Sequence, residues 1–420
     1  MGLIFSLVRK NNFNNGTLEK KLYSFQFLLS KCMKNILRLF LGRFRKKPDA
    51  MIRILGYKEF CAVPPSRRAL VSYLVSPLLP VPAKRDRIVF SNLGIAQYIP
   101  HALNELGFEV DIVSWDDMEW LPKQHYDLYI GHGGINFEHI SRALSDKTVQ
   151  IYFSTGIYWK EFNIREARRI YELALRKGYL LPPDRVISNS EDYANQTADG
   201  IICLGNQNVV QSYRHFPLVI GINNAVYPLD WHGLADKDFE KGRKHFLFFS
   251  GGGSLHKGLD LLLDAFADTD LHLHICQIID PAFAQIYKAD LTQRSNIHVY
   301  GHIRMRSPEF EQLVSLCNWT ISATVCEGQP GATLECMAYG LIPILTAGAN
   351  IDLENFGSFL PENSIADIQK VIFAVAEMDI DECKQRAKIT TAVVREYYSP
   401  EKFNDNFKNA VQRITIEKSK

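Results

Sequence analysis

Two glutamates stand eight positions apart around a Pro-Gly break, with Glu327 in a predicted loop and Glu335 in the short predicted helix that follows. A carboxylate in the loop can accept hydrogen bonds from sugar hydroxyls, and a carboxylate in the first turns of the helix can accept them from a ribose. The free backbone N–H groups of the helix start would face a diphosphate between them. Those amides belong to Gly331, Ala332 and Thr333. The segment suits a nucleotide-sugar pocket, although about one such glutamate pair is expected by chance in a chain of this length.

A glycine-rich turn lies upstream of this segment, between the apolar run 245–249 and the helical pattern 259–266. Its glycines are Gly251, Gly252 and Gly253. Such glycines let backbone approach an anion, and Lys257 would supply the countercharge. The order Lys-Gly is not that of a P-loop, and His256 stands where a dinucleotide fingerprint needs a third glycine. The alternative is an ordinary strand-to-helix turn with a solvated lysine.

The two segments together resemble the nucleotide-binding half of retaining GT-B glycosyltransferases of the family 4 type. In that family a Lys-Gly element precedes a Glu-x7-Glu element within one Rossmann-like domain. The intervening strand 296–301 and the exit strand 340–344 fit the same order. The resemblance covers residues 245–395 and extends to the segments 153–156 and 219–224. It implies an α/β fold of the GT-B type, with two Rossmann-like doubly wound domains that face a central cleft.

The same resemblance implies that a hexosyl group moves from a nucleoside-diphosphate sugar to a hydroxyl acceptor with retention of configuration. Lys257 and the amides of residues 331–333 would offset the charge of the departing diphosphate. Glu327 would orient the donor hexose, and Glu335 the ribose. The leaving phosphate would itself act as the base. Because the helix start and Lys257 supply positive charge, neither a divalent metal nor another cofactor is required. A nucleotide-sugar epimerase and a catalytically silent nucleotide-sugar-binding subunit stay open as alternatives.

One departure from the family pattern concerns the glycine turn. Relatives usually carry an arginine directly after its first glycine, where this chain has Gly252. The substitution removes a bidentate phosphate clamp. Either Lys257 and the backbone suffice, or another cation such as Arg304 or Arg306 takes over, or the donor is held differently. We include Arg304 among the candidate substrate-binding residues.

Polar residues also follow two predicted strands in the first half of the chain, in the loops 131–136 and 154–156. Ligands of open α/β sheets bind beyond the carboxyl ends of the strands, so we expect these loops to face the cleft. We predict that His132 hydrogen-bonds to the sugar; the alternative is a turn histidine without a ligand. His272 and His274 share one face of a predicted strand, but no further ligand stands at metal spacing, so we predict no metal site.

The chain of 420 residues is 46% hydrophobic and 22% charged, so it can bury two hydrophobic cores. This composition indicates a large enzyme and not a small single-domain protein. Its eight cysteines form no C-x-x-C pair, which indicates a reducing cytosol. We expect no cleavable signal, because the first apolar stretch contains lysines and lacks a small-residue cleavage site. These features predict a cytoplasmic enzyme.

The net charge of +2 conceals a basic N-terminus, because residues 1–53 hold twelve Lys or Arg and two acidic residues. Within residues 20–47, apolar and basic side chains fall on opposite helical faces, which is typical of an interfacial helix on anionic lipid. Internal lysines exclude a membrane span. We therefore expect contact with the inner face of the plasma membrane and a carbohydrate or lipid-linked acceptor in surface-polysaccharide or glycolipid assembly. A surface helix packed on its own domain is an equal alternative. Nucleic-acid binding is not predicted, because no reading motif is present.

Short strands alternate with helices along the rest of the chain, which predicts two doubly wound domains. We assign residues 1–84 to a basic N-terminal extension and lead-in segment and 85–226 to the acceptor domain. A linker (227–244) and the nucleotide-sugar domain (245–397) follow, and a last helix (398–420) returns to the first domain. The predicted strands are near 87–91, 110–115, 127–131, 149–154, 200–204, 218–222, 246–249, 271–276, 297–300, 320–323 and 342–345. The predicted helices are near 97–106, 164–177, 365–378, 380–397 and 400–415.

Overall fold

The computed structural model describes residues 52–79, 92–183, 185–227, 229, 231–362 and 364–420. The basic segment 20–47 and the predicted strand near 87–91 lie outside these residues, so both stay predictions. Within the described ranges, no helix is both long enough and apolar enough to cross a membrane.

The first lobe is built on a seven-stranded sheet. Its strands are β1 (Ile54–Tyr57), β2 (Arg67–Tyr73), β3 (Phe108–Ser114), β4 (Leu128–Gly131), β5 (Val149–Ser154), β6 (Gly200–Leu204) and β7 (Val219–Ile222). The strand order is β1-β3-β2-β4-β5-β6-β7, and only the pairing of β1 with β3 is antiparallel. The central strands are continuous apolar runs because helices cover both faces of the sheet.

Strands β1 and β2 correct the sequence analysis, which predicted no strand before residue 85. Both lie in the segment assigned to the N-terminal extension, yet they pair within the first sheet. The pattern hides β2 because it opens on two exposed arginines, Arg67 and Arg68, and only its later positions are buried. The strand is recognisable only from its tertiary pairing with β3 and β4.

In the part of the first lobe that the structure describes, these strands are connected by α1 (Asn92–Glu105), α2 (Gly134–Ser141), α3 (Trp159–Lys177), α4 (Asp192–Thr197) and α5 (Gln207–Ser212). The long helix α3 starts five residues before its predicted beginning. It ends where Gly178 adopts a left-handed conformation (φ 72°) and donates its N–H to the carbonyl oxygen of Ala174 at 2.8 Å. Glycine reaches this conformation without a Cβ penalty, which explains why the helix stops there.

The second lobe is built on a six-stranded parallel sheet. Its strands are β8 (His245–Phe249), β9 (His272–Cys276), β10 (Ile297–Val299), β11 (Trp319–Ser322), β12 (Ile342–Leu345) and β13 (Ser358–Phe359). The order β10-β9-β8-β11-β12-β13 places β9 and β11 on opposite sides of β8. Strand order therefore reverses beside β8, and a crevice opens beyond the carboxyl ends of β8 and β11.

The helices of the second lobe are α6 (Phe239–Gly242), α7 (Leu259–Phe266), α8 (Pro281–Ile286), α9 (Lys288–Gln293), α10 (Pro308–Leu316), α11 (Gly331–Ala338), α12 (Ile365–Ala376) and α13 (Ile380–Tyr397). Helix α6 falls inside the segment predicted as a linker. Its Phe239 is buried in the core of the second lobe, so that lobe begins before the predicted boundary at residue 245. The charged residues around Phe239 hid this contact in the sequence.

The last helix, α14 (Pro400–Lys418), crosses back to the first lobe. It begins at Ser399, whose hydroxyl accepts a hydrogen bond from the N–H of Lys402 at 3.1 Å. Its apolar side chains join the core formed by α1 and the first sheet: Phe403, Phe407, Ala410, Val411 and Ile414. These residues recur every three or four positions, which places them on one helical face.

Candidate functional site

A cavity of about 680 Å³ lies between the carboxyl ends of the two sheets. Its wall includes all three candidate catalytic residues, Glu327, Lys257 and His132, and four candidate binding residues, Gly251, Gly331, Ala332 and Thr333. Gly252 and Gly253 belong to the same turn as Gly251 but are not part of this wall. Glu335 and Arg304 also lie off it.

The centre of the second-lobe wall is an ion pair between Glu327 and Lys257. The Thr324 hydroxyl also donates to Glu327 Oε1, at 3.1 Å. Burial alone would raise the pKa of Glu327, but the positive charges of Lys257 and His256 outweigh burial and hold that pKa below its usual range. Glu327 is therefore an ionised hydrogen-bond acceptor at neutral pH, and the charge of Lys257 is already compensated.

His256 supports this ion pair from behind. Its Nε2 lies 2.8 Å from the carbonyl oxygen of Cys326, and its Nδ1 lies 2.7 Å from Oε2 of Glu166 on α3. A carbonyl oxygen only accepts, so Nε2 carries a proton and a second proton lies between Nδ1 and Glu166. The ring of Phe162 stacks on the imidazole of His256, with 4.9 Å between the ring centroids. Glu166 was not predicted, because it is ninety positions away and on the other lobe.

The backbone of the loop that carries Glu327 is fixed on both sides. The N–H of Glu327 donates to the carbonyl oxygen of Gly348 at 2.9 Å, and its own carbonyl accepts from the Asn350 side chain at 2.6 Å. Gly328 then meets the first lobe, because a Cβ at this position would collide with the carbonyl oxygen of Thr155. Only glycine allows this close approach between the two lobes.

The start of α11 offers fewer amides than the sequence predicted. Pro330 precedes the helix and supplies no side-chain cap. Gly331 and Ala332 occupy the first two helical positions, where N–H groups have no partner within the helix. The N–H of Thr333 instead donates to the carbonyl oxygen of Pro330 at 3.1 Å, so Thr333 offers its side chain but not its amide.

His132 follows β4 on the opposite wall, as predicted for a residue beyond the carboxyl end of a strand. Its Nδ1 lies 2.8 Å from the carbonyl oxygen of Phe153, so Nδ1 carries the proton. Burial lowers the pKa of His132, and the ring is neutral at pH 7. Its Nε2 is consequently a hydrogen-bond acceptor, which is the state that a donor hydroxyl of a sugar requires.

Glu335 sits deeper than Glu327 and pairs with Arg306. Burial raises the pKa of Glu335, and the hydrogen bond from Arg306 limits the rise. Arg306 also donates to the carbonyl oxygen of Tyr227 at 2.8 Å. Arg304 is exposed, and its backbone carbonyl accepts a hydrogen bond from the N–H of Ser307. Neither of the two arginines named as replacements for the missing clamp is among the described residues that line the cavity, whereas Met305 between them is.

Solved structures of known proteins share this two-lobe arrangement. Sucrose-phosphate synthase from Thermosynechococcus elongatus is 14% identical, with a TM-score of 0.57, and the match covers 84% of this chain and 100% of that one. The galactosyltransferase WaaB of the lipopolysaccharide outer core is 13% identical, with a TM-score of 0.55, over 82% of this chain and 99% of that one. The chain has the GT-B fold. No family model and no curated protein matches the sequence.

Two other solved structures were also found to be similar. Anabaena HepE, solved in complex with UDP and glucose, is 13% identical with a TM-score of 0.52, and the match covers 83% of this chain and 100% of that one. TarM also matches, at 13% identity and a TM-score of 0.49, over 67% of this chain. The chain spans only 54% of that TarM structure. At these identities the likeness concerns the fold.

The GT-B lobes are joined by charged contacts along α3 in addition to the cavity loops. Arg176 pairs with Asp260, and Lys177 Nζ lies 2.6 Å from Asp264 Oδ1; both carboxylates are on α7. On the apolar side of the helix, Leu173 is fully buried in the core of the second lobe. Helix α3 therefore belongs to one lobe by sequence and packs against the other.

A row of histidines on β8 to β10 is a separate feature that sequence analysis found only in part. His245 Nδ1 lies 2.9 Å from His274 Nε2, and His272 Nδ1 lies 3.0 Å from His298 Nε2. The four rings hydrogen-bond and stack on one another outside the cavity wall. Among the residues that the structure describes, no group of three or more His, Cys, Asp or Glu is arranged to hold a metal ion.

Proposed function

We propose that this protein is a glycosyltransferase that moves a hexosyl group from a nucleoside-diphosphate sugar to a hydroxyl acceptor with retention of configuration. The observation that carries the proposal is the convergence of Glu327, Lys257 and the start of α11 on one wall of the interlobe cavity. The GT-B fold is consistent with this activity, and the HepE structure with UDP and glucose is an example of a donor complex on that fold.

In the proposed mechanism the second lobe holds the nucleotide of the donor, and side chains of both lobes contact the donor sugar. The N–H groups of Gly331 and Ala332, the Gly251 turn and Lys257 would stabilise negative charge that develops on the diphosphate as the sugar bond breaks. Glu327, fixed in its ionised form, would accept hydrogen bonds from donor hydroxyls. His132 would accept another through its neutral Nε2. The lowered pKa values of Glu327 and His132 leave the carboxylate ionised and the imidazole neutral at neutral pH, as these two roles require.

Glu335 keeps its proposed role as the acceptor of ribose hydrogen bonds, and Arg306 would hold its carboxylate in place for that contact. The amides and Lys257 would offset part of the phosphate charge, and the proposal includes no metal or other cofactor. The attacking hydroxyl would pass its proton to the departing phosphate. That step keeps the nucleophile on the face that the leaving group occupied, which is the geometric requirement for retention.

The proposed acceptor is a carbohydrate or a lipid-linked saccharide in surface-polysaccharide or glycolipid assembly. The support is the basic amphipathic pattern of residues 20–47, which favours a cytoplasmic protein in peripheral contact with an anionic membrane. Deletion of residues 1–53 should release the protein from anionic vesicles, most clearly at low salt. Unchanged co-sedimentation after the deletion would eliminate the membrane part of the proposal.

A donor screen tests the activity itself. The full chain is incubated with a panel of nucleoside-diphosphate sugars, with and without saccharide acceptors, and nucleoside-diphosphate release is measured. We expect slow release without acceptor, faster release with one, and a product whose anomeric configuration by NMR matches the donor. An inverted product would contradict retention. An isomerised sugar would identify an epimerase, and binding without either product would identify a silent subunit.

A further inference from the structure

The part of the cavity wall formed by Gly251, Lys257 and the start of α11 would face the donor phosphates, and we call it the phosphate side. It has little uncompensated positive charge. A nucleoside diphosphate brings at least one negative charge on each phosphate, yet Lys257 is already paired with Glu327. Gly252 carries no side chain, and the guanidinium of Arg306 is engaged by Glu335. Backbone amides contribute partial charges only. A donor site built from these groups alone would therefore have little net attraction for a diphosphate.

Arg185 reaches the same turn from the first lobe. It lies in the connection between α3 and α4 and lines the cavity with Lys257 and Gly251. Its side chain crosses Gly253, where an added Cβ would come within 3.0 Å of both Cγ and Cδ of Arg185. Gly253 has a φ of 89°, so glycine is needed there both for the backbone and for this contact.

The guanidinium of Arg185 is exposed and is not committed to another group. Among the described residues it makes no ion pair and no side-chain hydrogen bond. Its charge does act on Glu327, whose pKa it helps to lower. An arginine with unsatisfied donors beside a glycine turn has the geometry to bind phosphate oxygens bidentately.

We infer that Arg185 binds the donor diphosphate and supplies, from the opposite lobe, the guanidinium that is absent at Gly252. This inference rests on the proposed function, because it assumes a nucleoside-diphosphate donor. It makes donor binding a property of both lobes: the second lobe provides Lys257 and the amides, and the first lobe provides Arg185. It also explains why Gly253 is glycine, since a larger residue would displace Arg185 from the turn.

Calorimetric binding of UDP, GDP and ADP to the full chain tests this inference. We expect Arg185→Ala to weaken binding of the preferred nucleoside diphosphate at least tenfold, and Arg142→Ala, which changes a surface arginine outside the cavity wall, to leave it unchanged. A Cβ at Gly252 would meet no atom within 4 Å, so a side chain can leave the backbone there without a clash. Gly252→Arg introduced into Arg185→Ala should therefore recover most of the lost affinity. Thermal unfolding of each variant checks that the fold is intact.

The matching unphosphorylated nucleoside is the control ligand. Its affinity should be the same in the wild type and in Arg185→Ala, because the inferred contact is to phosphate. Wild-type affinity of Arg185→Ala for the nucleoside diphosphate would overturn the inference and leave the proposed function standing. An equal loss for the nucleoside would also overturn it. A wild-type protein that binds none of the three nucleoside diphosphates would contradict the proposed function, and the inference with it.

Discussion

Replacement of Glu327 by glutamine separates two roles of the Glu327–Lys257 ion pair: the carboxylate accepts hydrogen bonds from donor hydroxyls, and it neutralises the charge of Lys257. The substitution keeps the shape of the side chain but removes its charge, so Lys257 loses its partner and the donor hydroxyls lose an ionised acceptor. A hydrogen bond to a charged group contributes about 1.5–3 kcal/mol. If Glu327 makes one such bond in the transition state, turnover should fall at least tenfold, which corresponds to about 1.4 kcal/mol of barrier.

The same substitution should not weaken nucleoside-diphosphate binding, because it leaves Lys257 with an uncompensated charge for the phosphates. Lys257→Ala should behave differently: it removes a cation from the phosphate side and leaves Glu327 buried without a countercharge, so affinity and turnover should both fall at least tenfold. The double variant should lose less than the sum of the two barriers, because the side chains are in direct contact.

The assay measures kcat and KM for the preferred donor and the Kd of the matching nucleoside diphosphate. Glu138→Gln is the matched control, since Glu138 is a half-exposed residue that pairs with Arg142 and does not line the cavity. Full turnover in Glu327→Gln, or a loss of nucleoside-diphosphate affinity equal to that in Lys257→Ala, would refute the separation of roles.

Three other perturbations have defined outcomes. Burial, and then the neighbouring imidazoles, lower the pKa of His274 to about 3. Histidine in an unfolded chain titrates at about pH 6.5, so below that pH the unfolded state binds more protons than the folded state. The contribution of His274 to the free energy of unfolding should fall by about 2 kcal/mol from pH 7 to 5, and chemical denaturation should show a smaller fall in His274→Gln. Gly328→Ala should reduce turnover at least tenfold (about 1.4 kcal/mol), because the added Cβ pushes the lobes apart at Thr155. The unfolding midpoint of each lobe's core should be nearly unchanged. Glu166→Gln should destabilise the fold by about 3 kcal/mol in denaturant titrations, since it leaves His256 buried without its carboxylate.

Much of the fold is predictable because buried parallel strands are short apolar runs. Strands such as β5 and β12 begin and end where the hydrophobic pattern predicts, and helix α13 matches its predicted range. The pattern fails where a tertiary contact, and not composition, decides the structure. Strand β2 opens on exposed arginines, and Phe239 is a single core residue among charges.

The residues of the candidate site also fall into two groups: those that a local sequence motif predicts and those that only the packed fold brings to the site. The residues that the sequence identifies, Glu327 and Lys257 among them, come from local motifs in which a glycine turn or a helix start marks the function. The residues it misses, Glu166 and Arg185, come from the other lobe. No local pattern marks them, because their neighbours are brought to them only when the lobes pack. Arg304, named as a cation that could replace the missing clamp, is not among the described residues that line the cavity, and its role stays a prediction.

The position of Arg185 follows from the helix that precedes it. Along α3, Glu166 contacts His256 behind the ion pair, and Arg176 binds Asp260 on α7, so the C-terminal end of the helix is held against the second lobe. The chain that leaves α3 then passes directly over the glycine turn, where Arg185 crosses Gly253. The contacts that join the lobes are therefore also the contacts that place Arg185. Any opening of the lobes that breaks them would withdraw the guanidinium from the phosphate side, so lobe contact and donor affinity should change together in variants of α3.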